Sequence, residues 1–125
     1  MFELKKEFRF DAAHTLQRSI NGEPSRRIHG HSYRAEVTIR GFPDPETGMI
    51  LDLSRFELVL EDARQALDHR FLDEMNDLGP ATMENLCVWI WRRLAPACPG
   101  LVKVEVLRDS TRDSCAYFGE ARQAA

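Results

Sequence analysis

Three features of this chain predict an α+β domain: rows of apolar residues at every second position towards both ends, rows at every third or fourth position in the middle, and the order in which they occur. That order reads strand, strand, helix, helix, strand, strand (ββααββ), which predicts a four-stranded antiparallel sheet with two helices on one face. Phe2, Leu4, Phe8 and Phe10 alternate with Glu3, Glu7 and Arg9, the period of a strand with one buried face, and Lys6 interrupts the buried row. Gln17 to Arg27 is polar, contains Asn21-Gly22-Glu23-Pro24, and reads as loop. Tyr33, Ala35, Val37 and Ile39 then alternate with Arg34, Glu36, Thr38 and Arg40 as a second strand. After a turn at Pro43–Gly48, Ser54 and Glu57 have the spacing of a capping box. Leu53, Phe56, Leu60, Ala63 and Leu67 make one apolar helix face that ends near Asp68-His69. Thr82 is suited to cap the second helix, which turns Leu86, Ile90 and Leu94 inward before Pro96 and Pro99 stop it. Val102, Val104 and Val106 form the third strand, and Cys115–Phe118 a short fourth. Such a sheet has two bare edges, so identical subunits are expected to continue it, with a closed ring as the natural outcome.

Composition narrows the function classes. At 125 residues, 43% hydrophobic and 30% charged, the chain fits one domain, placed at residues 1–120 with 121–125 as a frayed tail. A net charge of −3 and a pI near 5.8 give no electrostatic basis for nucleic-acid or membrane binding, although Arg26 and Arg27 make a local basic spot. No apolar run approaches the roughly 20 residues of a membrane span, and Met1–Lys6 lacks the apolar core of a signal peptide. A cytoplasmic protein is expected. Cys87, Cys98 and Cys115 show no paired spacing and are read as free thiols.

The chemistry-bearing pattern is His14 followed by His29-Gly30-His31. In an extended strand, residues two apart share a face, so His29 and His31 can present imidazoles to one point, with Gly30 removing bulk between them. With His14 they supply the three protein ligands of an open zinc site, leaving a fourth position for water or substrate. The structural alternative is that His29 and His31 flank a turn and His14 is a core residue with a satisfied ring. The remaining histidine, His69, follows Asp68 directly, either as a carboxylate–imidazole pair or as a residue favoured at the negative end of the first helix.

The ordered set Phe10-Asp11-Ala12-Ala13-His14, His29-Gly30-His31-Ser32-Tyr33, Gly48-Met49-Ile50-Leu51-Asp52, Leu67-Asp68-His69, Ala81-Thr82-Met83-Glu84-Asn85 and Tyr117-Phe118-Gly119-Glu120 resembles the 6-pyruvoyl-tetrahydropterin synthase and 6-carboxytetrahydropterin synthase family over nearly the whole chain. The resemblance implies the tunnelling fold, in which three subunits close a barrel of strands and two rings stack into a hexamer. It implies zinc on His14, His29 and His31, active sites at subunit interfaces, and dihydroneopterin triphosphate as substrate. It also implies an acid–base role for Asp68 and His69.

Two positions depart from the family pattern. Where the family has a cysteine four residues before the first histidine of H-G-H, this chain has Ser25, and an alcohol is a far poorer proton acceptor than a thiolate. Ser25 is either activated by Asp68-His69, replaced as base by Glu23, or a mark of a slow or altered enzyme. Where a glutamate and threonine receive the guanidine-like edge of the pterin, the aligned residues are Asp109 and Ser110, one methylene shorter in reach; the same residues also suit a hairpin turn. Glu84 is either a helix-dipole residue or a neighbour of the site. The sequence is therefore read as a 6-carboxytetrahydropterin synthase-like lyase of the queuosine (deazapurine) route. The alternatives are a pyruvoyl-forming enzyme, retro-aldol cleavage of a dihydropterin towards folate, and a zinc- and pterin-binding paralogue without turnover.

Overall fold

The computed structural model of the chain describes residues 1–120; the tail at 121–125 lies outside the described residues. Two long strands, β1 (Phe2–His14) and β2 (His29–Gly41), are joined through a short helix, α1 (Gly22–Arg26). Helix α2 (Leu53–Leu67) leads to a two-residue strand, β3 (Arg70–Phe71), and helix α3 (Met83–Leu94) leads to β4 (Leu101–Arg108) and β5 (Asp113–Tyr117). The sheet order is β3-β1-β2-β4-β5. The three long-strand pairings are antiparallel, whereas β3 lies parallel to β1.

The α+β class and its central ββααββ order therefore hold, but the sheet has five strands and is mixed, rather than four and purely antiparallel. The extra strand is too short to carry a period. It forms because the chain leaving α2 bends at His69, whose φ is 58°, and His69 N–H donates to the Asp11 carbonyl at 2.7 Å, which lays Arg70 and Phe71 beside Ala12 and Ala13. A second difference is α1, which occupies part of the stretch read as loop. Asn21 enters it in the left-handed conformation at φ 54°, one that asparagine tolerates, and Pro24 falls within the first turn, where its missing N–H costs nothing. At α2 the cap is Asp52, which accepts from Ser54 N–H at 2.8 Å, so the helix begins two residues before the capping-box reading and leaves Leu53 exposed. At α3 Thr82 accepts from Asn85 N–H at 3.1 Å, as its sequence position implied.

Both longer helices cover the same sheet face, α2 over β1 and α3 over β4 and β5. Phe56, Leu60, Ala63 and Leu67 from α2 and Leu86, Ile90 and Leu94 from α3 meet Phe8, Phe10, Tyr33, Ala35, Val37, Ile39, Val104 and Val106 from the sheet, all buried. Phe56 is wholly enclosed at 0% exposure. Phe56→Ala is expected to destabilise the fold by about 3–5 kcal/mol, measured by urea denaturation, since the vacated volume has little means of collapsing.

Candidate metal centre

The period of two that builds the core also builds the site. His14 continues the inward row Phe8, Phe10, Ala12 to the end of β1, and His29 and His31 precede Tyr33, Ala35 and Val37 on the inward face of β2. Antiparallel register sets His14 across from His29 and Ala12 across from His31. A side chain at Gly30 would place its Cβ 3.3 Å from the Ala12 carbonyl oxygen, so the close approach of β1 and β2 here favours glycine. The three rings consequently meet at one end of the sheet, with centroids 4.5, 4.9 and 5.1 Å apart, and one nitrogen from each lies within 4.8 Å of the others.

Hydrogen bonds fix which nitrogen of two rings is free. A carbonyl only accepts, so His14 Nδ1–H donates to the Ala81 carbonyl at 2.8 Å and His29 Nδ1–H donates to the Arg27 carbonyl at 2.7 Å. Each neutral ring then keeps its lone pair on Nε2. The Nε2 of His14 is buried without a hydrogen-bond partner among the described residues, an uncompensated polar atom that a metal ion would satisfy. Burial lowers the pKa of His14, and burial together with the nearby Arg108 charge lowers that of His31 to about 4, so both rings are neutral at physiological pH. Three imidazoles, two of them oriented by backbone carbonyls, are a donor set that fits zinc with an open coordination position.

His14 opens into a cavity of about 690 Å³ whose wall includes Arg18, Asp73, Thr82, Glu84 and Arg108. Asp73 closes the floor, accepting from Thr15 N–H at 2.9 Å and from the Thr15 hydroxyl. Glu84, in the first turn of α3, thus lines the same cavity as His14 and is also suited to the helix dipole.

The other sequence-selected residues lie apart from this cavity. Asp68 and His69 do form a pair, with His69 Nδ1 2.8 Å from the Asp68 carboxylate, and Asp68 also accepts from Asp11 N–H at 2.9 Å and from Arg64 at 3.1 Å. The Asp11 N–H and then His69 hold the Asp68 carboxyl below the usual range. His69 itself is exposed and lines a shallower depression with Asp11, His31 and Ser32. Ser25 is buried inside α1, its hydroxyl 2.9 Å from the Gly22 carbonyl and 3.0 Å from the Leu16 carbonyl, and among the described residues no hydrogen bond joins it to Asp68 or His69. Glu23 is turned to Arg27 at 2.7 Å. Asp109 is gripped by Arg34, Nε and Nη2 both lying 3.0–3.1 Å from its oxygens, on the sheet face away from the histidines, and Ser110 follows it in an exposed turn. The Arg34 guanidinium holds the Asp109 carboxyl below its usual range.

Sequence reasoning missed Arg108, which reaches the histidine cluster and lines the cavity. The signal was available: Arg108 is the next inward position after Val104 and Val106, and the assignment stopped one step short. The Ala81 carbonyl was not legible, because a backbone acceptor has no sequence signature.

Comparison with known proteins agrees with this geometry. The family model described as 6-pyruvoyl tetrahydropterin synthase matches residues 3–120. The chain is similar to 6-carboxy-5,6,7,8-tetrahydropterin synthase of Synechocystis sp., 36% identical over 124 residues and covering 94% of both chains. It is also similar to dihydroneopterin monophosphate aldolase of Pyrococcus furiosus, 34% identical over 98 residues and covering 78% of this chain and 79% of the relative. The solved structure of Caenorhabditis elegans 6-pyruvoyl tetrahydropterin synthase superposes with a TM-score of 0.81 over 95% of this chain and 96% of that one, at 24% identity, which establishes likeness of fold.

Proposed function

This chain belongs to the 6-pyruvoyl tetrahydropterin synthase family, and we propose that it is a zinc-dependent lyase that converts 7,8-dihydroneopterin triphosphate to a 6-carboxytetrahydropterin, a step towards deazapurine-modified bases. The observation that carries this reading is the convergence of three imidazoles, one of them, His14, with an orphaned buried Nε2 and lining a cavity large enough for a substituted pterin. The 36% identity to a carboxy-forming relative, against 30–31% to pyruvoyl-forming relatives matched over the same 94% of this chain, supports the carboxy-forming outcome.

His14, His29 and His31 hold the metal, and the Ala81 and Arg27 carbonyls fix the tautomers of His14 and His29 that leave their Nε2 lone pairs facing it. Bound there, zinc supplies Lewis-acid polarisation of substrate hydroxyl or carbonyl oxygens, which acidifies adjacent bonds. Asp68 orients His69 through Nδ1, leaving Nε2 of His69 to take or return a proton. Because His69 faces the other depression, its place in a complete site is at the contact between protomers, which agrees with a trimer or a hexamer of two stacked trimers. Exposed Phe2 and Phe118 near the strand ends suit such burial. Ser25 contributes structure rather than basicity in this reading: its one proton serves the Leu16 or Gly22 carbonyl, and an alcohol so engaged is not a proton acceptor poised for carbon acids. Asp109 and Ser110 receive a pterin edge only if Asp109 leaves Arg34.

A second reading, a paralogue that binds zinc and pterin without turnover, is favoured specifically by the engagement of Ser25. The similarity to the aldolase keeps cleavage to a hydroxymethyl dihydropterin as a further outcome. Zinc-loaded protein incubated with dihydroneopterin triphosphate distinguishes them. Release of acetaldehyde is the expected result, hydroxymethyl dihydropterin with glycolaldehyde triphosphate identifies retro-aldol cleavage, and no product from the native chain but turnover from Ser25→Cys identifies the impaired paralogue.

A further inference from the structure

Arg108 is the most constrained charge in the molecule. It is 7% exposed, and its Nε is buried with no acceptor among the described residues. Its Nη2 donates to Asp113 at 2.8 Å, and its Nη1 lies 3.3 Å from Nε2 of His31. Asp113 is half-exposed, so solvent screens that pair, and no other carboxylate hydrogen-bonds Arg108 among the described residues. Asp73 is taken by Thr15.

The contact with His31 cannot persist once three histidines hold a metal. A neutral imidazole has a single lone pair, and a guanidinium only donates, so Nη1 occupies the very pair that a cation requires. Binding through the other ring nitrogen would place N–H against N–H and break the contact equally. Metal loading therefore strips Arg108 of its His31 acceptor and sets a cation near a buried guanidinium that already has an orphaned Nε. A buried guanidinium left with the single, solvent-screened Asp113 carboxylate beside a cation is unfavourable, and an anion arriving with the metal relieves it.

We propose that Arg108 is the specificity-determining residue of this cavity, receiving an oxyanion of the ligand, a carboxylate or a phosphate, beside the three histidines. The inference rests on reading those histidines as a metal centre. Nη1, the donor freed from His31, can be offered to an oxyanion, and Arg18 in the same wall adds a second positive charge. A guanidinium cannot accept the N–H donors of a pterin edge, so this end of the cavity selects for the anionic substituent and not for the ring.

The test uses the full chain, zinc-loaded and freed of excess metal, titrated calorimetrically with unsubstituted pterin, pterin-6-carboxylate, neopterin triphosphate, acetate and inorganic phosphate. The native protein is expected to bind one of the two anionic pterins about tenfold or more tighter than pterin, and which one identifies carboxylate or phosphate as the group received. Arg108→Met is expected to bring that ratio close to unity while zinc content stays constant. A native protein without the preference, or a folded Arg108→Met that retains it, overturns the proposal. Should Arg108→Met fail to fold, Arg108→Lys decides: losing the planar fork but keeping the charge, it must reduce the ratio by about threefold or more, and an unchanged ratio overturns the proposal. If no pterin binds but acetate or phosphate binds in an Arg108-dependent way, this inference stands and the pterin reading falls. If none of the five probes binds, the inference falls.

Discussion

His29→Ala is expected to lower bound zinc from about one ion per chain to below about a tenth, and to reduce turnover by about a thousandfold or more, because two remaining imidazoles do not make a catalytic zinc site. His29 is the informative choice among the three. His14 is buried at 1% exposure and donates to the Ala81 carbonyl, so its removal also leaves an unpaired acceptor and a cavity in the core. His29 is only partly buried and its one recorded bond goes to the Arg27 carbonyl, next to solvent. Metal analysis after gel filtration, paired with a thermal melt, separates ligand loss from unfolding. Full zinc content in a folded His29→Ala protein would refute the ligand assignment.

Asp68→Asn is expected to reduce kcat by about 10²- to 10⁴-fold without changing zinc content. The carboxylate accepts from Asp11 N–H on one oxygen and from His69 Nδ1 and Arg64 on the other. An amide can keep the first bond, but its NH₂ group opposes the N–H of His69 and releases or inverts the imidazole tautomer. His69→Gly is the companion variant. His69 sits at φ 58°, a conformation glycine adopts without strain, so this change removes the ring while leaving the β3 turn intact. Comparable losses in both variants, measured in single-turnover assays, are expected if the pair works as a unit, and full activity in either excludes it. The same carboxyl has a visible effect on stability. Its folded pKa is depressed, so its contribution is fully present above the ordinary aspartate pKa and is lost as pH falls through the lower folded value. Asp68→Asn should therefore lower stability near neutrality, where the carboxylate contributes, and converge on the native profile in acid, which flattens the acid limb.

How much of this was legible differs by residue. Strand periodicity placed Tyr33, Ala35, Val37 and Ile39 on one face, and extending that row backwards to His31 and His29 was enough to bring two ligands together. His14 needed one step more, since β1 had to continue its alternation past Phe10. The same logic stopped short at β4, where Arg108 is the inward position and Asp109 the outward one, so the carboxylate expected near the ligand lies across the sheet, held by Arg34. Ser25 differed from the family pattern in plain sight, but its bonds to the Leu16 and Gly22 carbonyls depend on α1, a helix too short and too polar to announce itself.

The sequence alone determined the class of fold, the two helices with their buried faces, and the three histidines as a candidate ligand set, because each follows from a local period that survives without knowledge of neighbours. Only the tertiary structure decided the register that sets His14 across from His29, the β3 strand that draws Asp68 and His69 to Asp11, and the presence of Arg108 against His31. Those are pairings between segments far apart in the chain, fixed by backbone hydrogen bonds and shared burial, and neither leaves a mark in the order of residue types.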